Sequence, residues 1–220
     1  MVAELTYDVL VETVLAWINR DDPVLIQQMP NIVMLAQKKI SYDISILGQT
    51  NYIEGNFLPP QMNSSQNMLD KPPLWRNTLS FAVGGSINGG TTTDFIQLEL
   101  VQFDFLKNYW PDQTALGTPK FYADMGNNKW IVAPTPDQNY PILIAFTEIF
   151  PNLSETNQQN WLSNNLPHLL FYQTLYQALI FSQYDARAPG IEAIYENLKT
   201  AVIANNKERV TDRFVVRDKD

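Results

Sequence analysis

The chain has one imidazole and no thiol: His168 is its only histidine, and cysteine is absent. His168 follows Pro167, a residue suited to the first turn of a helix, so it reads as a polar first-turn side chain before it reads as a general base. A Ser–His–Asp mechanism needs a nucleophile on a sharp strand-to-helix turn, and the chain holds no G-x-S-x-G. Carboxylates are plentiful. Asp112 and Asp124 flank the segment GTPKFY, and Asp8 and Glu12 lie four residues apart on one helical face. Two carboxylates suffice to hydrolyse a glycosidic bond, so a glycan hydrolase built on Asp112 and Asp124 stands as an alternative that no spacing favours. Neither G-x-x-x-x-G-K-[ST] nor a G-x-G-x-x-G before a helix is present. Without thiols or a second histidine, zinc-thiolate, iron–sulfur and multi-histidine sites are excluded. No catalytic residue, metal or cofactor is therefore assigned.

Phe103, Phe105, Tyr109, Trp110, Phe121, Tyr122, Trp130, Tyr140, Phe146 and Phe150 form a second group with chemical potential. Exposed, they would stack sugars or bases. A β-rich component that binds glycan through Trp110 and Trp130, beside the glycine-rich element 84–90, is the second alternative. Core is the preferred reading, because aromatics bury large areas and only Lys107, Lys120 and Lys129 accompany these rings.

The elements that must position these residues fall in three textures. Residues 5–47 are expected to be helical. Thr6 caps a helix with Val9, Leu10, Val14, Trp17 and Ile18 on one face. Asp22 caps the next, with Pro23 at its first position. Pro30 then opens or kinks a segment carrying Ile32, Leu35, Ala36, Ile40 and Ile44, and Gly48 is a C-terminal stop. Residues 48–150 hold most of the glycines and prolines. There 56–75 reads as a loop and 84–90 as an exposed hairpin tip. Strands are expected at Thr78–Val83, Thr93–Phe103, Phe121–Asp124, Lys129–Ala133 and Tyr140–Ile149. In the second of these, Ile96, Leu98 and Leu100 share one face. A helix from Pro167 to about Gln183 places Leu169, Tyr172, Tyr176, Leu179 and Ile180 in register. Another, after Pro189-Gly190, carries Ile191, Ile194, Tyr195, Leu198 and Val202. The fold class is α+β: a helical bundle from both termini (1–47 and 151–208), an inserted antiparallel sheet or small sandwich (48–150), and a C-terminal docking tail (209–220).

Charge and hydropathy narrow the partners. The net charge is -8, the isoelectric point is near 4.6 and mean hydropathy is -0.20. Such a body does not hold nucleic acid by neutralising phosphates. No 18-residue apolar run is present, so no membrane partner is expected. The start reads as an amphipathic helix with Glu4, Asp8 and Glu12, not as a secretory signal. Residues 199–220 carry six basic against four acidic side chains, a net of +2 on a body of -10. Their mixed signs suit a protein partner more than DNA.

Three ordered segments carry a resemblance. Gly117, Pro119 and Tyr122 form G-x-P-x-x-Y, and Ala133, Pro134, Thr135, Pro136, Asp137 and Tyr140 form APTPD-x-x-Y. Leu153, Ser154, Asn157, Asn160, Trp161 and Leu162 form LS-x-x-N-x-x-NWL, followed by Pro167, Leu169, Leu170 and Tyr172. With Tyr109-Trp110 ahead of them and NRDDP at 19–23, the combination resembles the head-to-tail adaptor (connector) proteins of tailed bacteriophages. His168 stands where that family usually has Asp, and the stretch 55–92 is longer than expected.

The resemblance implies a structural, non-enzymatic virion protein assembled in the host cytoplasm. It implies a homo-oligomeric ring, typically of twelve subunits, below the portal protein and above the tail or nozzle protein. DNA passes through its channel without specific binding. Portal docking falls to the tail, through Arg209, Arg213, Phe214, Val215, Val216 and Arg217. The motif residues Tyr109, Trp110, Gly117, Pro119, Tyr122, Pro134, Pro136, Tyr140, Asn160 and Trp161 take packing roles. Trp161 is expected to anchor the β insertion to the helices.

Overall fold

The computed structural model describes residues 5–20, 22–44, 49–57, 67–84, 95–112, 114–126, 128–183 and 186–210. Their elements run, in chain order, α1 (Tyr7–Ile18), α2 (Pro23–Asp43), β1 (Thr50–Phe57), β2 (Met68–Asp70), β3 (Trp75–Gly84), β4 (Phe95–Gln97), β5 (Glu99–Leu100), α3 (Phe103–Tyr109), β6 (Leu116–Gly117), β7 (Phe121–Met125), β8 (Lys129–Ala133), β9 (Thr135–Pro136), β10 (Tyr140–Glu148), α4 (Trp161–Asn165), α5 (Pro167–Phe181) and α6 (Ala188–Val210). The fold class is α+β. The chain divides into a helical unit, Met1–Gln49 with Ile149–Asp220, and a β unit, Thr50–Glu148.

In the helical unit local chemistry sets the helix starts. The Thr6 hydroxyl accepts from the Val9 N–H at 3.3 Å, and Asp22 Oδ1 accepts from the Val24 and Leu25 N–H groups at 2.9 and 3.4 Å. Asn19 closes α1 in the left-handed conformation, φ 52°. The buried stripe of α1 is Tyr7, Leu10, Val14 and Ile18. Two members of the expected face are exposed instead: Val9 lies about 100° round the helix from Leu10, and Trp17 lays its ring edge-on to Phe171. Pro30 neither opens nor ends a helix. It sits inside α2 on the exposed side, and Ile26, whose carbonyl gets no N–H from Pro30, is exposed too. Leu35, expected in the core, is likewise exposed on α2.

α5 is the centre of this unit. Leu169, Leu170, Gln173, Thr174, Leu175, Ala178 and Leu179 are buried round most of its circumference, and α1, α2, α4 and α6 all pack on it. Ile180 and, on α6, Ile194 are exposed rather than in register with the core. Pro189 and Gly190 form the first turn of α6 instead of preceding it. Two arginines cap helix C-termini. Arg187 donates to the Trp17 and Ile18 carbonyls at the end of α1, at 2.9 and 3.2 Å, and Arg20 donates to the Ser182 carbonyl after α5 at 3.3 Å. Asp43 accepts from Lys39 at 2.7 Å and from the Tyr195 hydroxyl at 3.0 Å, which ties the end of α2 to α6.

The β unit is a sandwich. Its first sheet is wholly antiparallel, in the order β1-β10-β3-β4. The second has the order β2-β8-β7-β5, with β5 parallel to β7, and β6 pairs parallel with β9. Phe81, Val83, Leu98, Tyr122, Trp130, Val132, Tyr140, Ile142, Ile144 and Phe146 fill the space between the sheets. On the far side of the second sheet, α3 brings Leu106 onto Ala123, Ile131 and Ala133.

Three expectations for this unit are corrected. The segment Thr93–Phe103 is not one strand. It breaks at Leu98, so that β4 joins the first sheet and β5 the second. Leu98 alone is buried between them, while Ile96 and Leu100 are exposed on sheet edges. Residues 56–75 are not all loop: β1 ends at Phe57, Met68–Asp70 pairs with β8, and Trp75 begins β3. The third correction is α3, where no helix was expected. Gly48, the element 84–90 beyond Gly84, and the tail from residue 211 lie outside the described residues.

Candidate functional site

The first two motif segments meet inside the β unit. β6 lies against β9, with Leu116 opposite Thr135 and Gly117 opposite Pro136. The Lys120 N–H donates to the Ala133 carbonyl at 2.9 Å, and β7 and β8 continue the pairing from Phe121–Ala133 to Met125–Lys129. Pro119, Pro134 and Pro136 are buried, and the Ala133–Pro134 peptide is cis. Gly117 permits the approach: a Cβ there would stand 3.2 Å from Cβ of Pro134 and 3.4 Å from its Cγ. The buried Tyr140 closes the joint. Its hydroxyl donates to Asp137 at 2.6 Å, accepts from Gln138 at 3.1 Å, and lies 3.0 Å from Thr118 Oγ1. Tyr122 is buried as well, its phenol pushed up by burial and by Asp124. Trp110 is half-buried and donates to the Ala115 carbonyl at 3.0 Å. Tyr109, by contrast, is exposed.

The third segment works differently. Between Pro151 and Asn160 the chain runs without helix or strand, held by side-chain amides of its own and of α2. Asn160 caps α4: its Oδ1 accepts from the Ser163 N–H at 2.9 Å, the Ser163 hydroxyl accepts from the Asn160 N–H at 3.0 Å, and Asn160 Nδ2 donates to the Pro151 carbonyl at 2.7 Å. Gln158 binds the start of α1. Its carbonyl accepts from the Tyr7 N–H at 2.9 Å, its Oε1 from the Asp8 N–H at 3.2 Å, and its Nε2 donates to Asp8 Oδ2 at 3.0 Å. The buried Gln37 of α2 accepts from the Leu153 N–H at 2.9 Å. Trp161, half-buried, stacks on Phe150 at 5.5 Å and 4° within this same unit.

The residues considered for chemistry are scattered. His168 is exposed in the first turn of α5. Asp112 accepts from the Thr114 hydroxyl at 2.6 Å and its N–H at 2.9 Å, and these bonds hold its carboxyl below the usual range, opposite to what a general acid needs. Asp124 pairs with Lys71, whose side chain is buried with Nζ 3.6 Å from the centre of the Trp75 ring. Trp130 is 0% exposed and donates to Thr78 Oγ1 at 2.9 Å, so it offers no face to a sugar. Among the described residues no group of three or more His, Cys, Asp and Glu is placed to hold a metal ion. No helix among them is long and apolar enough to cross a membrane.

Sequence reasoning missed Gln37, Gln158 and Thr118. Gln37 had a signal: it is a polar residue inside the buried stripe of α2. Of the tail residues, Arg209 falls within α6, while Arg213, Phe214, Val215, Val216 and Arg217 lie outside the described residues.

A search of curated protein sequences found no match. The family model described as SU10 adaptor protein matches residues 5–217, which takes in both units and all three motif segments. With its motif residues in two internal joints and its family profile matched almost end to end, the chain belongs to the SU10 adaptor protein family, a family of phage head–tail adaptors.

Proposed function

We propose that the protein is a structural head-to-tail adaptor that forms a closed ring of twelve copies below the portal. There it extends the DNA channel and joins it to the tail protein. The family match over residues 5–217 is the observation that carries this reading. Exposed apolar side chains support it. Trp17, Val24, Leu35 and Ile180 in the helical unit, and Tyr52, Phe95, Phe105 and Tyr109 in the β unit, lie on different elements, as a head-to-tail ring requires. The charge of -8 suits a channel through which DNA slides without being gripped. The helical bundle and the β insertion are the two units of the chain, and residues 209–220 dock on the portal through Arg209, Arg213 and Arg217 around Phe214, Val215 and Val216. Deleting Arg209–Asp220 tests this. Portal binding in a pull-down is lost while the circular dichroism spectrum keeps its helical signal; portal binding at the wild-type level refutes the docking role.

A further inference from the structure

The two outer faces of the β sandwich differ. α3 covers the back of the second sheet. The back of the first sheet has no helix of its own unit, since α3 is the only helix there among the described residues. An antiparallel sheet with one face in water alternates apolar-in and polar-out. This face does not. The register sets Tyr52, Ala145 and Ser80 in one row and Glu54, Leu143, Ala82 and Gln97 in the next, with Phe95 opposite Gly84 beyond them. Ala82 and Ala145 are 8% exposed, whereas Tyr52 is 63% and Phe95 48% exposed. The result is a floor of Ser80, Ala82 and Ala145, with Leu143 among them, on the central strands between aromatic rims on the edge strands.

The unit also carries a protruding counterpart. Phe105 and Tyr109 of α3 are 50% and 44% exposed, and their rings stack at 6.0 Å and 11°. Phe121 holds both from below, edge-on at 6.0 and 4.9 Å. A ridge already fixed in this way loses little side-chain freedom on docking. Lys107 lies between the two ridge residues and Lys120 beside Phe121, with Asp104 at the start of α3 and Asp112 just beyond its end, while the only charge in the sheet rows is Glu54. A self-complementary pair needs one patch used twice. Two unlike patches, one recessed and one raised, fit the head-to-tail contact that closes into a ring.

We infer that the outer face of the first sheet receives the α3 ridge of a neighbouring copy of this chain. The inference rests on the ring reading above and adds which residues meet. The absence of cysteine makes a clean test available. Tyr52→Cys and Tyr109→Cys are placed on one chain, introduced into virus particles by complementation, and treated with a short bismaleimide. A ladder of linked copies is expected, and neither single variant gives linked dimers. Rings without a ladder, from this pair and from Glu54→Cys with Phe105→Cys, overturn the contact but leave the ring standing. Linked dimers from a single variant mean a two-fold contact and overturn both. Particles that hold the chain but no ring overturn the ring reading and this contact with it.

Discussion

The two units solve the same problem, fixing a proline- and asparagine-rich segment, by opposite means. In the β unit the segments around Gly117 and Pro134 pair backbone to backbone, so their side chains are free to be apolar and close-packed. The one polar knot, at the Tyr140 hydroxyl, has every partner inside the motif or next to it. In the helical unit the segment Pro151–Asn160 has no strand to lie against. Gln158, Gln37 and Asn160 therefore supply the hydrogen bonds that a partner strand would have given. Sheet joints are specified by shape and loop joints by amides. A substitution that ruins one is expected to have little effect on the other.

The largest expected break is at Trp130. Trp130→Ala removes a fully buried indole from between the sheets and costs about 3–5 kcal/mol, read as a lower denaturant midpoint by circular dichroism. Its counterpart Trp161→Ala costs less, about 1–2 kcal/mol, because Trp161 is half-buried and loses mainly its stacking on Phe150. Equal costs would erase the contrast between the units.

Gly117→Val comes next. The added Cβ meets the Pro134 ring, and overpacking costs about 1–3 kcal/mol. Hydrogen exchange should quicken in β6 to β9 and stay unchanged in α5; quickening of α5 to the same degree would join what the comparison separates. Asn160→Ala is smaller, about 1 kcal/mol, with the loss confined to α4 and the preceding loop.

The smallest effect is a pH dependence in the helical unit. Burial pushes the Asp43 carboxyl up, but hydrogen bonds from Lys39 and Tyr195 outweigh it and leave it below its usual value. A depressed folded value contributes stability above the ordinary carboxylate range, and this is lost as pH falls through the folded value. The thermal midpoint of Asp43→Asn should lie below wild type at neutral pH, with the gap closing below about pH 4. A gap that stays constant to lower pH contradicts the assignment.

What was legible in the sequence follows the range of the interactions. Thr6, Asp22 and Pro23 act on the next few residues, and their caps are readable from residue type and position alone. The crossing at Leu98 was not. Residues 93–103 alternate as a single strand would, and only the pairing of β4 with β3 and β5 with β7 divides them. Two-residue strands such as β5, β6 and β9 show no period, and the seven residues of α3 make fewer than two turns. The motif residues were recognisable, but Tyr109 lies exposed rather than packed inside. A core residue and an apolar surface residue look alike in a sequence, and only the fold tells them apart.

Electron cryomicroscopy of the head–tail junction in intact particles tests the central claim most directly. The account predicts a closed ring of twelve identical copies directly below the portal, with each β unit's Tyr52 face against the α3 of the next copy. Isolated copies at that position, or a particle without this chain at the junction, would contradict it.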